Sequence, residues 1–420
     1  MTGLYDVAVI GAGPAGLMAA GRALEEGASV LLLDKLAVPG KKLYITGKGR
    51  CNVTNDTDVR TVLDNVPRNP KFLYSALSAF TPADAKAFFL SRGIPLKTER
   101  GRRVFPVSDK AADIARGLAD YAAGAEKKIA RVKALRIREG RIKGLTTGEK
   151  EEIGARTVIV ATGGLSYPAT GSTGDGYRFA EDAGHAIREP GASLSALVSD
   201  EGLCRAAMGV SLRNVSVRFF EDGKKVFEEF GEMLFTHFGV SGPVILSGSA
   251  HFERAASEKR IEIDFKPALD DGTLDRRLLR EIAEGGEKET GNLARSLLPQ
   301  SLARPFVARC GVDPRKKARD LTRGERQALA KGLKGTSLRI TGLRPVEEAI
   351  VTRGGVDVRE VDPRTMASKL VKGLYFAGEV LDVDAYTGGY NMQIAMATGR
   401  AAGRAAAVLA KTEREEGMNP

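Results

Sequence analysis

Apolar positions along the 420-residue chain fall into short, strand-sized blocks separated by glycine-rich turns. The first block is Asp6-Val-Ala-Val-Ile10, which runs without interruption into Gly11-Ala-Gly13-Pro14-Ala15-Gly16. Unbroken apolar runs of this length predict strands buried on both faces. Residues 17–26 then follow helical spacing, Gly27 stops them, and 29–33 form a second apolar strand closed by Asp34 and Lys35. The strand pattern returns at 157–161, ending in Ala161-Thr162-Gly163-Gly164, and at 373–377, ending in Gly378-Glu379. Residues 128–137 and 141–146 read as a hairpin. Beyond Gly388-Gly389-Tyr390-Asn391-Met392-Gln393 the pattern predicts one long helix to about Leu409, rich in small residues that allow close packing.

The middle of the chain, about 191–351, has a different texture. Alternation at 211–220 and 225–230 predicts a hairpin turning at Asp222-Gly223. A strand follows at 260–265, and from 271 to 334 the apolar period becomes helical, as at Leu274, Leu278, Leu279 and Ile282. Strand signals resume at 337–341. This order predicts a β-rich insert carrying a small helical piece.

The opening segment is the dinucleotide fingerprint with its elements in sequence: strand, GxGxxG, helix, strand, acid. Gly11 allows the tight turn, Gly13 lets backbone reach a diphosphate, and Gly16 lets the helix sit close on the strand. The helix start, with Pro14 and Ala15 in its first turn, offers unpaired N–H groups and partial positive charge to phosphates. Asp34 is placed to accept from ribose hydroxyls, and an acid there argues against a 2′-phosphate. The chain then continues not into a further βα unit but into a cationic glycine-rich loop, 39–52, holding Lys42, Gly49, Arg50, Cys51 and Asn52. That layout is the flavoprotein style of dinucleotide site, with Lys42 and Arg50 expected near a diphosphate and FAD extended across the domain. Val132 is expected where backbone passes an adenine, and Ala161, Thr162 and Gly163 where the chain turns over the cofactor. Glu379 and Asp382 are expected on ribityl or diphosphate oxygens. N–H groups of Asn391, Met392 and Gln393 at a helix start would stabilise negative charge on a reduced flavin.

The rest of the chain narrows the reading. With 43% hydrophobic and 28% charged residues the composition is that of a globular protein. Glycine, at 49 residues, exceeds the usual share, in keeping with many turns and close backbone approaches. No apolar run nears the length of a membrane helix and the first residues lack a basic leader region, so a soluble cytoplasmic protein is expected. Cys51, Cys204 and Cys310 form no CxxC pair, and His185, His237 and His251 do not cluster, so neither a disulfide framework nor a metal site is expected. Cys51 also lacks the partner thiol that a disulfide relay needs. The net charge is +11, and residues 266–335 hold sixteen basic against ten acidic residues. A solvated basic face is the favoured reading of that excess, with an RNA-binding surface as its rival.

Four stretches carry a more specific resemblance: 40–55, 161–176, 231–243 (Gly-Glu-Met-Leu-Phe-Thr-His-Phe-Gly-Val-Ser-Gly-Pro) and 365–391. Together they resemble the BaiN-like (YhiN-type) family of bacterial flavoproteins, described as FAD- and NAD(P)-utilising oxidoreductases. The resemblance implies an α/β, Rossmann-like FAD domain of the glutathione-reductase type with an inserted β-barrel-like domain carrying a small helical subdomain. The expected boundaries are 1–190 with 352–420 for the FAD domain, 191–266 with 336–351 for the β-rich insert, and 267–335 for the helical subdomain. It also implies hydride passage between flavin N5 and a small, enone-type substrate, with NAD(P)H as transient donor; family members include amine oxidases as well. No second glycine fingerprint marks a dedicated nicotinamide domain. His237, as proton donor or acceptor, and Tyr167 are the candidate catalytic residues, and Tyr167, Tyr386 and Tyr390 are candidate pocket aromatics. An RNA-associated flavoprotein is the alternative from another class.

Overall fold

The computed structural model describes residues 2–252 and 258–417. The chain divides into two units, Met1–Ser193 with Val346–Pro420, and Leu194–Pro345. Both crossings of the chain out of the first unit lie on one antiparallel pair there, Ile187–Ser193 with Val351–Val356.

A seven-stranded sheet organises the first unit. Its elements are β1 (Thr2–Ile10), α1 (Pro14–Glu25), β2 (Val30–Asp34), β3 (Glu126–Ile129), β4 (Val132–Arg138), β5 (Arg141–Thr147), β6 (Glu152–Val160), β7 (Leu374–Phe376) and α2 (Tyr390–Glu415). β1 is central, with Val9 opposite Leu32 of β2 on one side and Ile159 of β6 on the other, all parallel. β3 extends the β2 edge and β7 the end of β6, again parallel. Burial on both faces explains the unbroken apolar runs: Val7, Ala8, Val9, Leu31, Leu32 and Leu33 are buried to within a few per cent.

One expectation needs correction. The run 128–137 is not one hairpin arm, because β3 stays in the parallel sheet and Ala130 N–H closes it by donating to Asp34 O at 2.8 Å. The hairpin partner of β5 is β4, beginning only at Val132, and the pair attaches to the start of β6. α2 extends beyond Leu409 and lies along α1. A Cβ at Gly399 or Gly403 would come within 2.2 Å of the Ala15 or Ala19 carbonyl, so only glycine lets these two helices touch. A small antiparallel sheet completes the unit: Thr54–Asn55, Arg103–Pro106 and Leu96–Glu99, in that order.

The second unit is a seven-stranded antiparallel sheet. Its order begins with Thr336–Ile340, passes through Lys259–Asp264, Ser211–Glu221 and Lys224–Thr236, and ends with Gly342–Leu343. First and last strands are thus consecutive in the chain, which requires the sheet to curl round on itself; Thr341 N–H, between them, donates to Val198 O at 2.9 Å. Helices Asp271–Gly285, Gln300–Arg309 and Arg323–Lys334 pack Leu274, Leu278, Leu302, Phe306 and Leu333 into the same core as Ile261, Ile263 and Leu338 of the sheet.

Candidate functional site

The first unit holds an elongated cleft of about 1420 Å³, counting its solvent-open mouth. It runs over the carboxyl ends of the parallel strands, where open α/β sheets bind ligands.

Its first wall is main chain. Gly11 has φ +105°, and a Cβ there would meet the Ala161 carbonyl oxygen at 2.4 Å. A Cβ on Gly16 would meet Gly11 O at 1.8 Å. A Cβ on Gly13 would meet nothing within 4 Å. Two glycines are therefore filled by the protein and the third opens into the cleft, beside the start of α1. Asp34 braces this turn: its oxygens accept from Ala12 N–H at 2.6 Å and Leu36 N–H at 2.7 Å, leaving a second lone pair on each for a ligand hydroxyl. Ala161, Thr162 and Gly163 continue the wall, and the buried Thr162 Oγ1 has no hydrogen-bond partner among the described residues.

At one end, Lys35 and Arg131 converge on Asp175. Arg131 lies 2.9 Å and Lys35 2.8 Å from its carboxylate oxygens, and Thr173 joins the cluster. Burial alone would raise the Asp175 pKa, but Lys35, Arg131 and Thr173 bring it down to about 2. Ala130, Arg131 and Val132 supply the adjoining backbone.

The other wall is built of side chains. Lys42 Nζ lies 2.8 Å from Glu379 Oε2 and 2.6 Å from Ser166 Oγ. Ser166 donates to Glu379 Oε1 at 2.9 Å, and Thr352 N–H donates to the same oxygen at 2.8 Å. Burial works to raise the Glu379 pKa, yet Lys42, Thr352 and Ser166 together hold it below its ordinary value. Asn391 and Met392, at the start of α2, complete this end.

Most of the residues singled out in the sequence converge here: Gly11, Gly13, Pro14, Ala15, Asp34, Lys35, Lys42, Val132, Ala161, Thr162, Gly163, Gly378, Glu379, Asn391 and Met392 all line the cleft. The structure places the others elsewhere. Gly16 packs behind the turn. Arg50 turns away to Glu99 at 2.9 Å and Asp109 at 3.2 Å, with its guanidinium 4.1 Å from the Phe105 ring centre. Gly49 lies beside it, outside the lining, and Cys51 is buried among packing residues. Asn52, Thr54 and Asn55 hold the Gly388-Gly389 turn from behind, and a Cβ on Gly389 would fall 2.8 Å from Asn52 Oδ1. Gln393 belongs to the same brace: it accepts from Thr54 Oγ1 at 2.8 Å, donates to Phe80 O at 2.7 Å, and its own N–H is spent on Gly389 O. The Asn391 side chain is likewise tied to both polar atoms of Ala385, so only backbone at that position faces a ligand. Asp382 bonds Asn69 at 3.0 Å outside the lining, and burial, with Asp384 nearby, pushes its carboxyl up.

Of the two catalytic candidates, Tyr167 lies in the first unit outside the cleft lining, and His237 belongs to the second unit. Tyr167 is half-buried with φ 53°, its backbone tied to Glu347 and Thr170. His237 is exposed in the second unit, between Lys224–Thr236 and Gly239–Ser241, with its ring edge-on to Phe238. Ser166, Thr352, Arg131 and Asp175 were not anticipated. Ser166 and Asp175 had a signal, both lying in the 161–176 stretch that carries the family resemblance, and Arg131 adjoins the anticipated Val132.

A strand, a glycine turn and a helix start around such a cleft define the Rossmann architecture of flavoprotein oxidoreductases. The chain belongs to the HI0933-like Rossmann-domain family, whose profile matches residues 5–405, and the BaiN-like resemblance drawn from the motifs is thereby borne out. Relatives span nearly the whole chain. A 3-dehydro-bile acid delta(4,6)-reductase of Clostridium scindens is 30% identical over 96% of this chain and 98% of its own length. A ribosomal RNA dihydrouridine synthase of Escherichia coli is 31% identical over 93% and 94%. The fold is shared with 3-ketosteroid delta1-dehydrogenase from Sterolibacterium denitrificans, solved with 1,4-androstadiene-3,17-dione, at TM-score 0.51 and 13% identity over 98% of this chain and all of that one. Among the described residues no helix is long and apolar enough to cross a membrane.

Proposed function

We propose that the protein is an FAD-dependent reductase that saturates a carbon–carbon double bond conjugated to a carbonyl, using NAD(P)H as electron source. The observation that carries the reading is the cleft itself, with Gly13 opening into it at a helix start and a half-buried Lys42–Glu379 pair at its far end. The relatives' names sharpen it. Reduction of a 3-dehydro steroid at Δ4,6 and conversion of uridine to dihydrouridine both saturate a double bond polarised by a carbonyl.

The residues present fit FAD. N–H groups at the start of α1 would hold the diphosphate, Asp34 would accept from the adenosine ribose, and Ala130 to Val132 would flank the adenine. Lys42 and Glu379, with Ser166 bonded to both from behind, are polar groups placed for the remainder of the cofactor. The start of α2 directs partial positive charge into the same end, which favours an anionic ring there. Bound FAD supplies the hydride acceptor and donor; the chain positions it, lowers the cost of negative charge on it and keeps water out.

The test is anaerobic mixing of the FAD-loaded protein with NADH or NADPH, followed at about 450 nm, where oxidised flavin absorbs. Bleaching, and its reversal by an enone steroid or a uridine-containing RNA, is the expected result. Bleaching only by amines, with reoxidation by oxygen, would replace the reductase by an amine oxidase.

A further inference from the structure

At the Asn391–Met392 end of the cleft, the small antiparallel sheet puts out a basic tip that the flavin site does not use. Its strands Leu96–Glu99 and Arg103–Pro106 are joined through Arg100, Gly101 and Arg102. Gly101 and Arg102 take left-handed backbone, φ 75° and 57°, so the turn is tight and keeps Arg100, Arg102 and Arg103 together. All three are exposed, and none has a carboxylate within 4 Å among the described residues. The neighbouring acids are spent on other partners: Asp56 on Lys86 at 2.7 Å, Glu99 on Arg50 at 2.9 Å and Asp109 on Lys97 at 2.6 Å. Arg103 gives one N–H to the Arg100 carbonyl at 3.0 Å and keeps the rest.

The tip is pinned beside the cleft from two sides. Asn55 Nδ2 donates to Gly101 O and to Gly388 O, both at 3.1 Å. From Gly388 the chain reaches Met392 of the cleft lining in four residues, a span of at most about 14 Å. Burial raises the pKa of the Tyr390 hydroxyl and the Arg102 charge opposes that rise, so this guanidinium stands close to the first residue of α2. On the other side, the Arg103 guanidinium lies 5.8 Å from the Phe105 ring centre, and a Cβ on Gly47 would meet the same ring at 3.3 Å. Gly47 belongs to the segment Lys41–Gly49, whose Lys42, Leu43 and Thr46 line the cleft.

We infer that Arg100, Arg102 and Arg103 hold the 2′-phosphate of a nicotinamide dinucleotide whose ring enters the cleft, so that NADPH and not NADH is the electron donor. The inference rests on the reductase reading and adds to it the donor's docking point and its selectivity. The glycine fingerprint supplies neither, because Asp34 puts a carboxylate at the ribose position, where it repels a 2′-phosphate, and the chain has no second fingerprint. A phosphomonoester carries about 1.5–2 negative charges at neutral pH, and planar guanidinium forks grip its oxygens two at a time. Three forks on one exposed turn provide that grip without a glycine loop. NADH offers them only a hydroxyl.

The experiment follows anaerobic bleaching of the FAD-loaded protein over a range of NADPH and NADH concentrations, and measures binding of 2′,5′-ADP and 5′-AMP to it by calorimetry. The parent should be half-saturated by NADPH at a concentration at least tenfold below that for NADH, and should bind 2′,5′-ADP at least tenfold tighter than 5′-AMP. Changing Arg100→Gln, Arg102→Gln and Arg103→Gln together should raise the half-saturating NADPH concentration at least tenfold and leave that for NADH within twofold. The limiting bleaching rates should stay unchanged, and the tighter binding of 2′,5′-ADP should be lost. A tip that was merely damaged would impair both nucleotides alike. Exposed basic residues of the second unit changed together, Arg315→Gln, Arg323→Gln and Lys331→Gln, should alter none of these quantities. A parent with no preference for NADPH, a tip triple that keeps the preference, or an equal loss for NADPH and NADH overturns the inference. Bleaching by neither nucleotide sinks the NAD(P)H-linked reductase and the donor with it, while tip-dependent binding of 2′,5′-ADP would keep the phosphate site; bleaching with tip-independent binding sinks the site alone.

Discussion

The two walls of the cleft are made of different material. From Gly11 to Ala15 the wall is main chain, shaped by side chains that are missing. At the other end it is a half-buried cation and anion with a hydroxyl and an amide, drawn from residues 42, 166, 352 and 379. A main-chain wall tolerates no added atom at Gly11 or Gly16, where backbone already fills the space, but carries no charge to balance. A side-chain wall tolerates small changes in shape but fails when one charge loses its partner.

Substitutions separate the two kinds of wall, and their effects on stability fall in order. Gly16→Ala forces a methyl against Gly11 O, and should cost about 4 kcal/mol or more, with loss of flavin on purification. Thermal unfolding checks it. Lys42→Met leaves Glu379 without its cation. Because both side chains keep some exposure, the loss should be about 2 kcal/mol, below the roughly 3–5 kcal/mol of a fully buried pair. The same wall should be acid-labile. Glu379 titrates below its ordinary 4.5, so the stabilisation by its charged form is complete above that value and disappears as pH falls through the lowered one. Melting temperature should therefore drop less on acidification in Glu379→Gln than in the parent; equal slopes would remove Glu379 from the account.

Gly13→Ala has room for its methyl and should cost about 1 kcal/mol as a poorer helix cap, yet weaken flavin retention at least tenfold. A variant that keeps flavin would show that the opening at Gly13 is not where the ligand lies. The smallest effect is expected from Cys51→Ala. Burial pushes that thiol up to about 12 despite a hydrogen bond with Thr46, and it lies off the cleft. Flavin spectrum and turnover should stay within twofold, and the native thiol should resist alkylation at neutral pH.

The same contrast explains what could be read in advance. The main-chain wall is encoded within six positions, and glycine spacing states its geometry directly. β1, β2 and β6 were equally plain, since strands buried on both faces need unbroken apolar runs. The side-chain wall depends on Ser166 meeting Glu379 across 213 residues, and no local pattern announces that. Arg50 and Gln393 were assigned to a ligand because charge and amide groups near a glycine loop suggest one. Three-dimensional packing gave Arg50 the carboxylates of Glu99 and Asp109, and gave Gln393 a bracing role behind the turn. The break at Ala130 was hidden because parallel strand and hairpin arm have the same alternation.

The pairing of α1 with α2 has a bearing on how the protein comes into being. α2, whose first turn closes the cleft, is made long after α1, the helix it must lie against. At about 5–20 residues per second, the glycine turn waits roughly 20–80 seconds on the ribosome before residues near 395 can meet it. During that interval β1 and α1 lack the surface that buries them, while the curled sheet of Leu194–Pro345 already has every strand it needs. A cleft with both of its walls therefore exists only once α2 has been made.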